Sequence, residues 1–227
     1  QGVVHELDVT TGQITPLRTD VEYYETGGWD VVIGPDGRGL GSHVITFDYS
    51  IDLRDLDPAT NTVSDSTFTN AGSKTQLVRN SNRSRYLVMK ASSSAMLGLI
   101  TPGSSTYTTT VNTGLNLINA FAAVNTTGSF VAVSRSPGTL EVRNSSLAVV
   151  KTISGVYGGV AFKPGTNLLY AVNSSLNNVQ IYDGGNNWNL LSTISLPNSI
   201  GTIAPMSNGQ LAFSENGARL FLTTVDG

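Results

Sequence analysis

Apolar positions along this chain come in runs of four to eight residues, broken by clusters of Gly, Pro, Asn, Asp and Ser. The clearest stretch runs from Gly159 to Gly184, GVAFKPGTNLLYAVNSSLNNVQIYDG, and is followed by LLSTISLP. It predicts four strands: 160–163, then 168–173 after a Pro-Gly-Thr-Asn turn, then 179–182 after Ser174 to Asn177, then 190–196 after an Asp-Gly-Gly turn. Short runs between such turns are what an antiparallel meander requires. No stretch holds a helical 3.6-residue period over ten residues, so the chain is expected to be all-β.

The same template recurs. A first strand, a polar turn and a second strand are read at VVIGPDGRGLGSHVITF, QLVRNSNRSRYLVM, FAAVNTTGSFVAV, the stretch above, and LAFSENGARLFLTT. First strands placed near Trp29, Thr75, Asn119, Gly158 and Gly209 are spaced by 46, 44, 39 and 51 residues. A repeat of this length made of four strands predicts a β-propeller, here of five blades in one domain spanning 1–227, the apolar first strands at the centre and the polar fourth strands at the rim. A sandwich would not explain the repeat. The last copy stops after its second strand, and the N-terminal 2–9 and 13–19 read as a third and a fourth strand. Joined head to tail, the two ends would complete one blade and bury both terminal edges.

Composition narrows the function more than the fold. Charged residues make up only 13% of the chain, against about 25% in ordinary soluble domains. The polar surface is therefore Ser, Thr, Asn and Gly, a balance that suits a secreted or cell-surface protein. A net charge of -3 argues against nucleic-acid binding, which needs a basic face. Arg79, Arg83, Arg85 and Lys90 come nearest to a cluster and read as solvated strand ends, whereas twelve of the sixteen acids fall between Glu6 and Asp65. The absence of Cys removes disulfides, thiolate metal sites and Cys nucleophiles. No apolar run reaches the roughly 20 residues of a membrane span, so membrane insertion is not expected. With Gln1 first and no signal peptide, the chain reads as a processed form or a segment of something longer.

The stretch FKPGTNLLYAVNSSLNNVQIYDG resembles the YVTN-type β-propeller repeat of secreted and surface proteins, with Tyr170, Ala171, Val172 and Asn173 matching its signature apart from one Ala. DPATNTVSDS, from Asp57 to Ser66, resembles that family's link between third and fourth strands, and Asp36-Gly37 and Asn216-Gly217 fit its first turn. The second copy departs most, because Asn80 to Ser84 lacks the turn Gly. The resemblance implies a propeller and carries no activity with it.

Candidate chemistry is sparse. His5 and His43 each fall in an expected strand and read as packed or rim residues, not ligands. No phosphate loop and no diagnostic catalytic spacing occurs, so no catalytic residue is assigned and no cofactor is expected. Asp52, Asp55, Asp57 and Asn61 superficially suggest a calcium loop, but Pro58 and the missing Gly and terminal Glu break that pattern, and no metal is expected. A glycosidase needs two carboxyls roughly 5–10 Å apart, and the later first strands offer almost no acids; Glu215 lies in a turn on the opposite face from the rest. The densest aromatic–acidic stretch is VEYYETGGWD, read as the loop entering the first blade. Tyr24, Glu25, Trp29 and Asp30 would share one face with Asp48 and Tyr49, a ligand-binding set suited to a glycan or a protein partner. Trp188 is expected to pack near Gly184 and Gly185. The expected function is an extracellular binding or scaffold module, with a propeller hydrolase (lactonase-like or glycosidase) and a packing unit of a surface layer or filament as rivals.

Overall fold

The computed structural model describes residues 5–16, 18–19, 25–45, 51–60, 62–65, 75–90, 95–104, 106–114, 116–117, 119–197 and 211–223. Strands β1 (His5–Leu7) and β2 (Ile14–Pro16) form a hairpin, and β3 (Arg18–Thr19) follows. The first large sheet contains β4 (Glu25–Ile33), β5 (Gly39–Ile45), β6 (Ile51–Asp57) and β7 (Thr62–Asp65). The second contains β8 (Thr75–Arg79), β9 (Tyr86–Lys90), β10 (Met96–Ile100) and β11 (Thr109–Asn112). The third contains β12 (Phe121–Val124), β13 (Phe130–Arg135), β14 (Thr139–Asn144) and β15 (Val149–Ser154). The fourth contains β16 (Val160–Phe162), β17 (Leu168–Asn173), β18 (Asn178–Asp183) and β19 (Asn189–Ser195), with one 3-10 turn at Gly184–Asn186. A last pair, β20 (Leu211–Phe213) and β21 (Leu220–Leu222), begins a fifth sheet.

Sheets two to four are four-stranded antiparallel meanders in chain order, and the first sheet has the same meander plus one added strand. Within the fourth sheet the strands fall within about a residue of their sequence-based bounds, because turn residues and period-2 alternation are both local signals.

Apolar side chains pack between successive sheets rather than in one central core. Val32, Leu40 and Leu53 of the first sheet meet Leu77, Tyr86 and Val88 of the second. Leu87, Met89 and Leu97 of the second meet Ala122, Val131 and Val133 of the third. Leu140 and Val142 of the third meet Val160, Leu169 and Tyr182 of the fourth, and Val172 and Val179 of the fourth meet Leu211. Neighbouring residues of one strand serve different interfaces: Tyr86 and Val88 face the first sheet, Leu87 and Met89 the third. Both faces of an inner strand are thus buried, which is why β9 and β12 read as unbroken apolar runs. Polar links repeat the pattern. Ser42 Oγ donates to Thr75 O at 3.2 Å, and Gly158 N donates to Ser134 Oγ at 3.2 Å.

Three expectations change. Residues 13–19 do not form one strand: β2 pairs with β1, whereas Arg18 and Thr19 pair in parallel with Thr62 and Val63 of β7. Pro16 ends the β1–β2 ladder, and β7, fourth in its meander, has a free edge able to accept β3. The second change concerns Glu25 to Trp29, read as a loop but lying in β4, whose ladder to β5 shifts register between Glu25 and Gly27 and again between Gly28 and Asp30. Thr26 and Trp29 are the residues left without a partner at those two bulges. The third change is at the rim: β19 is exposed throughout, as expected of a fourth strand, yet it presents Leu190, Leu191 and Ile194 as well as polar groups.

Candidate functional site

The turns joining first to second strands are built alike. In the second, third and fifth sheets the residue after the inner strand accepts through its side chain from a backbone N–H five positions on: Arg85 N to Asn80 Oδ1 at 2.9 Å, Phe130 N to Asn125 Oδ1 at 2.9 Å, and Arg219 N to Ser214 Oγ at 3.0 Å. The turns of the second, third and fourth sheets are also tied to one another. Asn80 Nδ2 donates to Thr126 O at 2.9 Å, Gly165 N donates to Thr126 Oγ1 at 2.8 Å, and Asn125 Nδ2 donates to Asn167 Oδ1 at 3.0 Å. Asn80 and Asn125 are buried, so these turns form a fixed rim.

Inside that rim lies a cavity of about 470 Å³ to which every inner strand contributes, through Val32 of β4, Val78 of β8, Val124 of β12, Phe162 of β16 and Leu211 of β20. Its mouth is made by turn residues, among them Ser81, Arg83, Pro164, Ser214 and Glu215, with Arg79 at the end of β8. Apolar strand residues such as Val78, Val124 and Phe162 line it, and polar turn residues gather at its mouth.

The second sheet departs from the repeat at two places, both in this mouth. The residue just before the turn is Ile33, Val124, Phe162 and Phe213 in the other sheets, and Arg79 here. The fourth turn position is Gly37, Gly128 and Gly217 in the first, third and fifth sheets, each with positive φ, and Arg83 here with φ 60. Glycine adopts that conformation freely, whereas for an L side chain it costs about 1–2 kcal/mol. Among the described residues, neither guanidinium has a hydrogen bond or ion-pair partner. Arg85, their neighbour in sequence, is engaged: its Nη1 donates to Thr101 Oγ1 and to Ser84 O. By sequence these arginines read as solvated strand ends; the missing turn Gly between Asn80 and Ser84 is visible there, but its position at a cavity mouth is not.

A second hollow, about 260 Å³, lies between the first and second sheets beside Arg38, Asp55, Asp57 and Tyr86. Asp57 is occupied structurally, pairing with Arg38 Nη2 at 2.9 Å and accepting from Ala59 N at 3.0 Å. Burial pushes the Asp55 carboxyl up, partly offset by Arg38. Asn61 lies outside the described residues, and among the described residues no group of three or more His, Asp or Glu is placed to share a metal.

Burial pushes the Tyr86 phenol up to about 12, reinforced by Asp36 and opposed by Arg79 and Arg83; burial does the same to Tyr107 and Tyr182. A raised acid pKa favours the neutral form in the fold. Its stabilising effect is complete below the ordinary value of 10.0 and is lost as pH rises toward about 12. Stability is therefore expected to fall across that window, with tyrosinate absorbance rising in step with unfolding. Full tyrosine ionisation near pH 10 in a still-folded chain would contradict it.

Of the residues singled out from sequence, Tyr24, Asp48 and Tyr49 lie outside the described residues. Glu25 and Trp29 lie within β4, where Glu25 is opposite Ile45, at the end of the β4–β5 pair away from the turn Gly34 to Arg38. Asp30 is used in the fold: its Oδ2 accepts from Leu77 N of the next inner strand at 3.0 Å and its Oδ1 from Val31 N at 2.9 Å. The turn-built mouth is therefore at the opposite end of the inner strands from Glu25. Trp188 is buried against Gly184 as expected.

No family model matches the chain, and no curated protein matches it. Solved structures do. A structure of the Dos1 propeller superposes with a TM-score of 0.73 over 99% of this chain and 60% of that one, at 15% identity. A chain in the crystal structure of the mitotic checkpoint complex gives a TM-score of 0.64 over 87% of this chain and 61% of that one, at 12% identity. The chain thus spans about 60% of the length of these neighbours, and the likeness shows a β-propeller fold and repeat architecture.

Proposed function

We propose that this chain is a binding or scaffold propeller of a secreted or cell-surface protein, taking a glycan or protein ligand and carrying no catalytic centre. The observation that carries the reading is the central cavity: five inner strands converge on it, cross-linked turns hold its rim, and Glu215 is the one carboxylate among its described lining residues. Hydrolysis by a carboxylate pair has no second partner among those residues. A hollow lined by apolar strand residues and polar turn residues favours binding. The low charge and the Ser/Thr/Asn-rich surface support export, and Tyr170 to Asn173 support kinship with the YVTN-type repeat. That the mitotic checkpoint complex structure is of an assembly favours a protein partner by analogy.

The ring is read as five blades closed head to tail, supported by Val31 of the first inner strand and Leu211 of the last lining the same cavity. The packing-unit reading keeps one supporting observation, the exposed Leu190, Leu191 and Ile194 on β19 and Val149 and Val150 on β15.

Two candidate sites compete for the ligand: the set expected from sequence, Tyr24, Glu25, Trp29, Asp30, Asp48 and Tyr49, of which Asp30 is already engaged by Leu77 N, and the turn-built mouth. A glycan array and a panel of immobilised candidate protein partners, followed by calorimetry on each hit with Tyr24→Ala, Asp48→Ala and Arg79→Gln, separates them. At least one hit is expected, weakened about tenfold or more by changes at one site only. Turnover of a lactone or glycoside would overturn the reading.

A further inference from the structure

We propose that the central cavity binds an organic carboxylate, with an apolar body lying against the inner strands and the anionic group held at the mouth by Arg79 and Arg83. This rests on the binding-module reading and names the ligand chemistry of its cavity. Three observations converge. The cavity, about 470 Å³, is in the range of sites that enclose small ligands, and Val78, Val124 and Phe162 offer apolar contact beside the polar turn residues of its mouth, Glu215 among them. Two departures from the repeat both introduce arginine, both in the second sheet, and both at this mouth. Finally, Arg83 is kept in a left-handed conformation that three of the four corresponding turns give to glycine. A strained residue retained at a cavity mouth, where glycine would relax the turn, points to a role for its side chain. Neither guanidinium has a hydrogen bond or ion pair with another described residue, although both act on the Tyr86 phenol, and a guanidinium fork suits a carboxylate. Arg85 shows the contrast, since its guanidinium is tied to Thr101 and Ser84 and holds the turn.

The carboxylate could come from a free small acid or from the C-terminus of a peptide ending in an apolar residue. Calorimetry on the full chain, with N-acetyl-phenylalanine and its amide as probes and a pentapeptide ending in phenylalanine in acid and amide forms, distinguishes them. Each acid should bind about tenfold or more tightly than its amide, with the difference shrinking as salt rises. Tighter binding of the peptide acid supports a protein terminus as the source, and equal binding supports a free acid.

Arg83→Gly should raise the melting temperature while weakening the acid about tenfold, an opposition that a purely structural arginine would not produce. Arg79→Gln should weaken the acid without moving the melting temperature. Equal binding of acid and amide, affinity unchanged in Arg83→Gly, or no binding by a cooperatively folded chain each overturns the anion site. A glycan or protein ligand indifferent to both arginines would do so too, while leaving the binding-module reading standing. Absence of any ligand at either candidate site is the separate failure of that broader reading.

Discussion

Replacing Glu141 by Ala is expected to destabilise the chain by about 3–5 kcal/mol, the usual consequence of removing one member of a buried ion pair. Glu141 lies on β14, two residues from Arg143 on the same strand face, and both are buried. Arg143 donates to Glu141 Oε2 through Nε at 3.0 Å and through Nη2 at 2.5 Å, and its Nη1 donates to Leu147 O at 2.8 Å. Arg135 of β13 adds a weaker contact, Nη2 to Glu141 Oε1 at 3.5 Å. Truncation removes the one carboxylate serving both guanidinia, and Arg135 Nε already lacks a partner. The buried Arg143 and the half-buried Arg135 would then both lose their shared counter-charge.

A denaturant titration should show a lower midpoint at unchanged slope, because the surface exposed on unfolding hardly changes. Against a typical total of about 5–15 kcal/mol, the loss is a fifth or more. The double variant Glu141→Leu, Arg143→Leu should be milder than Glu141→Ala alone, since it removes both desolvated charges together. If the alanine variant loses less than about 1 kcal/mol, the pair is open to water and the argument fails.

Trp188→Ala should lower stability by a similar about 3–5 kcal/mol, for a different reason. Trp188 belongs to the fourth sheet but packs edge-on against Phe130 of the third at 5.0 Å and Phe162 at 6.0 Å. The turn is shaped around it: a Cβ on Gly184 would come within 2.7 Å of the indole Cη2. Alanine would leave a void between two sheets, and rigid ladders on both sides prevent collapse into it. Trp188→Phe keeps part of the volume and should lose less than half as much. Calorimetric melting would check both, and the buried indole emission should disappear in each variant. An unchanged melting temperature for Trp188→Ala would show that the third and fourth sheets do not depend on this contact.

Much of the fold was legible in the residues themselves. Leu168 to Asn173 was assigned as a strand and is one, because alternation and flanking turns act over fewer than ten residues. Trp188 was placed beside Gly184 by proximity along the chain, and there it lies. The all-β class and the repeat followed from the same local signals, summed over copies, and the structural neighbours bear out a propeller. Along the candidate site, the apolar character of the inner strands was readable, since Val160 to Phe162 and Phe121 to Val124 are unbroken apolar runs.

The rest depended on contacts between residues far apart in sequence. Nothing local announces that Arg18 and Thr19 leave their hairpin for the edge of β7, because an open edge accepts any extended segment that can reach it. Asp30 looked like a ligand group on an aromatic-rich loop; only packing of the first sheet on the second brings its carboxylate to Leu77 N. Arg79 and Arg83 read as solvated charges by sequence, and only the inner strands brought together around one cavity put both at its mouth. The chain by itself determined where strands and turns fall, since those depend on side-chain period and turn chemistry within each copy. Which of its few charges face one another, and across what cavity, only the association of the sheets decided, because that geometry exists in no single repeat.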